Sequence, residues 1–177
     1  MCIRDSAFTE LTIKQQRENP SFSGNKTNLS VASNKLKLAN SLNNQTGTYE
    51  FASILDIGGI YSLGLERVIS SLGVYTTDLI DSRTALVDTW DSWDGAVANS
   101  VNADLTVAVS DDNITYSGFQ DLTKGTFKGR YFKFKSNITA DDPAQNVEVS
   151  VLGFNAFFQM RTETSAENSA ATNGVVS

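Results

Sequence analysis

The segment whose residue types could do chemistry is Asp88-Thr89-Trp90-Asp91-Ser92-Trp93-Asp94-Gly95, which carries both tryptophans of the chain and three aspartates. An indole presents a broad apolar face on which the C–H side of a sugar ring can stack. A neighbouring carboxylate accepts hydrogen bonds from sugar hydroxyls. Trp90, Trp93, Asp91 and Asp94 are therefore the candidate ligand-binding residues, and a saccharide is the ligand class they suit. The competing reading is packing, because a tryptophan buries about 150–250 Å² and one or both could plug the open end of a sheet sandwich. Asp88, Asp91 and Asp94 recur every three residues and could offer oxygens to calcium. They do not match the EF-hand spacing, and a solvated acidic loop accounts for them better.

Nucleophilic and metal chemistry of the common kinds is excluded by what the chain lacks. It has no histidine and one cysteine, Cys2. Ser-His-Asp and Cys-His sites cannot be built, and the usual zinc ligands are missing. A carboxylate pair remains formally open among Glu50, Asp56, Glu66 and the loop aspartates, yet no spacing selects one. The expectation is a protein that is not an enzyme and that carries no cofactor and no metal.

The elements that would have to position such a loop read as strands. Leu105, Val107 and Val109 face one way, with Asp104, Thr106 and Ser110 facing the other, as in a half-buried strand. Asp111-Asp112-Asn113 then makes a turn, since short polar side chains bond their own backbone and tolerate left-handed geometry. Arg130, Phe132 and Phe134 alternate with Tyr131, Lys133 and Lys135 in a second strand. Val147, Val149 and Val151 form a third, and a phase slip at Gly153 hands the apolar face to Phe154, Ala156, Phe158 and Met160. A one-residue slip at a glycine predicts a β-bulge there.

Upstream, Lys35-Leu36-Lys37-Leu38 alternates, and Tyr49, Phe51, Leu55 and Ile57 share a phase in a strand that should stop at Gly58-Gly59. Ile60 to Tyr75 fits helix or strand; Gly64 and Gly73 each cost a helix about 1 kcal/mol, which favours the strand. Asp78 to Ser100 lacks sustained alternation and reads as a long loop, a length often tied to function. Residues 7–30 are polar and read as a linker or the end of a preceding segment. Residues 31–160 are the sandwich domain, and residues 161–177 a frayed tail or linker. Met1–Ser6 reads as translated library adapter, so the natural chain is expected to begin near Ala7 within a longer protein.

Charge and hydropathy limit the partners. The chain has 177 residues and a net charge of -6, with a pI near 4.6. A phosphate backbone is therefore disfavoured as the main ligand. Lys128, Arg130, Lys133 and Lys135 concentrate positive charge beside aromatics, but a solvated strand face explains them better than a nucleic-acid surface. No run of about 18 apolar residues spans a membrane. Without a native cysteine no disulfide framework is expected, and the redox compartment stays open.

Leu105 to Lys135, LTVAVSDDNITYSGFQDLTKGTFKGRYFKFK, resembles the discoidin-like (galactose-binding-like) jelly roll, in which a strand ending in a Ser-Asp turn pairs with a later Gly/Ala-Arg-Tyr-aromatic strand. Three pieces together, Asp78 to Gly95, Ser110 to Lys135 and Asp141 to Phe154, are similar to a β-sandwich module of bacteriophage tail proteins near host-specificity and tail-fibre regions. The resemblance implies an all-β jelly-roll sandwich, mostly antiparallel, with polar terminal tails. It also implies a virion tail component made in the host cytoplasm, whose partners are other phage tail proteins and a host surface saccharide. An oligomer is compatible with it. The alternative is a carbohydrate-binding module of a bacterial secreted glycan-degrading protein.

Overall fold

The computed structural model describes residues 8–41, 43–75, 101–141 and 145–162. Ten strands run through them: β1 (Phe8–Arg17), β2 (Asn25–Thr27), β3 (Leu29–Ala32), β4 (Lys35–Leu38), β5 (Thr46–Glu50), β6 (Leu55–Tyr75), β7 (Val101–Ser110), β8 (Gln120–Asp121), β9 (Lys124–Ala140) and β10 (Gln145–Thr162). There is no helix among the described residues, and so none long and apolar enough to cross a membrane. The expected all-β sandwich is what forms. Ile60 to Tyr75 is strand throughout, within β6.

Every strand pair is antiparallel, and the three long strands close the architecture. β9 pairs with β7 along one edge and with β5, then β6, along the other. The later half of β6 continues onto β10, which also takes β1 and β4. The sheet thereby folds over on itself, and the inner faces meet in one apolar core. Phe134 of β9 stacks on Phe154 of β10 at 3.9 Å between ring centres. Leu105, Val107, Phe132, Phe134, Val147 and Val149 are all buried there, as their alternation predicts.

Five expectations are corrected. Residues 7–30 are not a linker, because β1, β2 and the start of β3 lie within them and Phe22 is fully buried. β1 is held by a ten-residue ladder to β10 and by the Arg17 guanidinium, which donates to the Phe154 carbonyl at 2.7 Å and to Asn155 Oδ1 at 2.7 Å. The domain boundary at residue 31 moves back accordingly. At the other end β10 runs to Thr162, past the expected boundary at residue 160.

The strand through Ile57 does not stop at Gly58-Gly59. From Thr46 to Glu66 the chain follows one edge of β9, interrupted at residues 51–54 and again between Asp56 and Tyr61. Gly58, at φ 83°, lies in this second irregularity, and its N–H donates to Asp56 Oδ1 at 2.8 Å. A left-handed glycine lets the chain bulge and resume pairing instead of ending.

The phase slip in β10 falls at Ser150, not Gly153. Val149 is opposite Ser71 and Val151 opposite Ser70, so one residue is extra. Val151 is consequently only half-buried, and Leu152 takes the core position. Gly153 serves a close approach: a Cβ there would sit 2.1 Å from the Gln16 carbonyl oxygen of β1.

Finally, β7 is buried on both faces. Thr106, Ala108 and Ser110 are covered as well as Leu105 and Val107. The loop 111–119 folds back over the outer face, setting the Tyr116 ring 4.0 Å from Lys133 Nζ and the Phe119 ring 4.3 Å from Lys135 Nζ.

Candidate functional site

The segment Asp88 to Gly95, with Trp90, Trp93, Asp91, Asp94 and the calcium candidate Asp88, lies outside the described residues. Its flanks do not. Tyr75, at the end of β6, is opposite Gln145, and Val101, at the start of β7, is opposite Ala140. Both flanks of the tryptophan-bearing segment therefore stand where β9 hands over to β10, at one end of the sandwich. Among the described residues no group of three carboxylates could hold a metal ion.

The opposite end is built by the Ser-Asp turn. Ser110 is directly opposite Tyr131, and β9 continues from there toward Lys124 without β7 beside it. The turn is self-contained. Ser110 Oγ accepts from the Asn113 N–H at 3.0 Å and donates to Asp112 Oδ1 at 2.9 Å. Asp112 Oδ1 also accepts from the N–H groups of Ile114 at 2.8 Å and Thr115 at 2.9 Å. These donors, the Thr115 amide first, hold the Asp112 carboxyl below its usual range. Asn113 takes φ 62°, the left-handed conformation its residue type suggests. The Tyr116 hydroxyl donates to Asn113 Oδ1 and ties the loop down.

Between this turn and the start of β9 runs an open groove of about 610 Å³. One wall is Ser110, Asp111, Asp112 and Thr115; Phe127 and Lys128 are on the other. Gly129 leaves room for the Val109 side chain of the neighbouring β7, since a Cβ there would meet Val109 Cγ1 at 2.2 Å. The groove offers hydroxyls and carboxylates facing a cation and an aromatic ring, a set that hydrogen-bonds polyhydroxylated ligands.

The four basic residues of this region do not form one solvated face. Arg130 clasps Asp56, Nε to Oδ1 at 2.9 Å and a terminal nitrogen to Oδ2 at 3.2 Å. That pair holds Asp56 below the usual carboxylate range, with the Gly58 amide contributing. Lys133 and Lys135 lie over rings of the 111–119 loop, and Lys128 lines the groove. Alternation alone could not show this, because the rings come from a loop 16 or 17 residues earlier in the chain.

A second cleft, of about 220 Å³, opens on the outer face of β5 and β9 beside Phe119. No sequence pattern marked it, since its groups come from β2, β5, β9 and two loops. No protein family, no curated protein and no solved structure matches the chain.

Proposed function

We propose that this domain is a non-enzymatic structural module of a bacteriophage tail or tail-fibre protein that contacts glycans on the host surface. The reading is carried by one observation. The strand ending in the Ser-Asp turn and the Gly129-Arg130-Tyr131-Phe132 strand, on which the resemblance rests, are antiparallel neighbours with Ser110 opposite Tyr131. Two further features support it. The described surface offers open hydroxyl- and carboxylate-lined depressions, and the residues flanking the candidate tryptophan segment, Tyr75 and Val101, stand together at one end of the sandwich. In the virion it would assemble with other tail proteins.

Two measurements test this. Genes flanking the coding sequence should encode tail, capsid or terminase proteins; glycoside hydrolase genes there would favour a carbohydrate-binding module of a secreted glycan-degrading protein. The full chain displayed multivalently should bind cells of the phage's host and be displaced by their purified surface polysaccharide. Binding that survives enzymatic removal of that polysaccharide would overturn the glycan role.

A further inference from the structure

Glu50 of β5 stands directly opposite Lys135 of β9. Opposite charges in that position ordinarily attract across the ladder. Here they do not pair. Lys135 Nζ lies over the Phe119 ring, and neighbouring Lys133 lies over the Tyr116 ring. Glu50 has no hydrogen bond or ion pair among the described residues, and neither has the side chain of Asn25, opposite it in β2. The loop 111–119 thus occupies both ammonium groups and leaves a carboxylate and an amide without partners, side by side.

Those two groups line the 220 Å³ cleft, with Lys133 across from them. Phe51 and Phe134, both buried, also border it, as do Ile54 and Phe119, both partly exposed. At about 30 Å³ per water molecule the cleft holds roughly seven waters, the bulk of one hexose ring and not of a chain. A carboxylate opposite an ammonium leaves the cleft with no net charge, which disfavours an acidic sugar.

We propose that this cleft is a subsite for one neutral hexose residue of a surface glycan. Its apolar ring face lies on Phe119 and Ile54, its hydroxyls donate to Glu50, and another accepts from Asn25. The inference rests on the glycan-contacting reading above and locates it away from the tryptophan segment. The 610 Å³ groove is the weaker candidate, because the Asp112 carboxylate on its wall is already engaged by the turn.

The test uses the full chain displayed multivalently on an array of glycans ending in glucose, galactose or N-acetylglucosamine, with thermal melting run in parallel. Glu50→Gln keeps the shape and removes the charge, and Phe119→Ala removes the ring. Each is expected to weaken binding at least tenfold with the melting temperature unchanged for Glu50→Gln. Free D-glucose or D-galactose at millimolar concentration should shift the backbone amide resonances of Asn25, Glu50 and Lys133. If both variants bind as the parent does, while Trp90→Ala or Trp93→Ala abolishes binding, the glycan reading stands and this subsite is wrong. A parent chain that binds none of these glycans overturns the subsite as well.

Discussion

The Tyr49 hydroxyl donates to Glu18 Oε2 at 2.6 Å inside the sandwich, with Tyr49 fully buried and Glu18 nearly so. The same hydroxyl accepts from the Gly24 N–H at 2.8 Å, and Gln16 Nε2 donates to the other Glu18 oxygen at 2.9 Å. The segment between β1 and β2 is thereby tied to the core through polar groups that have no water to turn to. Tyr49→Phe strips the Gly24 amide and Glu18 of a partner at once and should cost about 1–3 kcal/mol. Glu18→Leu should cost a similar amount. The two residues share one network, so the double variant should lose clearly less than the sum. Urea unfolding of the four proteins checks this; strict additivity would mean the pair is not coupled.

Tyr49 and Glu148 set opposite limbs of the pH–stability curve. Burial first, and then the Glu18 carboxylate, push the Tyr49 hydroxyl well above its ordinary value. Above about pH 10 the unfolded chain releases this proton and the folded one does not, so stability falls as pH rises past that point. Tyr49→Phe should flatten that decline. Glu148 is held low by Lys35 and Lys37, each with its Nζ 2.6 Å from a carboxylate oxygen. Its contribution is complete above the unfolded carboxyl value and fades as pH falls through the lower folded one. Glu148→Gln should therefore lose about 1–2 kcal/mol at neutral pH and show a shallower loss below about pH 4.5. Equal acid slopes in parent and variant would refute that.

Legibility in the sequence followed burial on one face. Leu105, Val107, Phe132 and Phe134 alternate against solvated or hydroxylated neighbours, and the strands and their phase could be read directly. β1 could not, because FTELTIKQQR is polar and Ile13 is 53% exposed. Its place depends on a ladder to residues 136 to 154 positions away, and on a glycine whose missing Cβ admits the Gln16 carbonyl. Glycine does not mark the bulge in β10, whose extra residue is Ser150, because bulges call for glycine only in some classes. Thr106 and Ser110 looked solvent-facing, yet a loop covers them, and Thr106 Oγ1 donates to the Lys135 carbonyl at 2.8 Å. Of the sites, the tryptophan segment was visible as composition, whereas Glu50 and Asn25 acquire meaning only once β2, β5 and β9 are side by side.

Gly153→Ala tests the attachment of β1. Its Cβ would lie 2.1 Å from the Gln16 carbonyl oxygen and 3.1 Å from Arg17 Cα, both backbone atoms that cannot swing aside. The strand must move, at a cost of about 1–3 kcal/mol as for an overpacked site. Hydrogen exchange should quicken in Phe8–Arg17, while β6 between Leu65 and Val74 and β10 between Asn146 and Leu152 keep their protection. Uniform loss of protection across all strands would show instead that β1 is part of one cooperative unit with the core.

The tryptophan segment calls for paired readouts, because the same residue type serves cores and sugar sites alike. Its flanks sit together at the β9–β10 end, so it can either project from that end or fold across it. Projection exposes at least one ring face within reach of Asp91 or Asp94. Folding across buries the rings and turns them into packing. Trp90→Ala and Trp93→Ala should separate these outcomes when thermal melting is set beside binding of multivalent protein to a glycan array. Multivalent display matters because linked copies raise avidity by roughly 10² to 10⁴ without new contacts, bringing a weak single site into range. Binding lost with melting unchanged assigns the ring to a saccharide. A destabilisation of about 3–5 kcal/mol, the cost of removing a buried aromatic, assigns it to the core. Should both tryptophans destabilise in that way, any glycan contact would have to come from elsewhere on the sandwich, and the cleft beside Glu50 would be the first place to look for it.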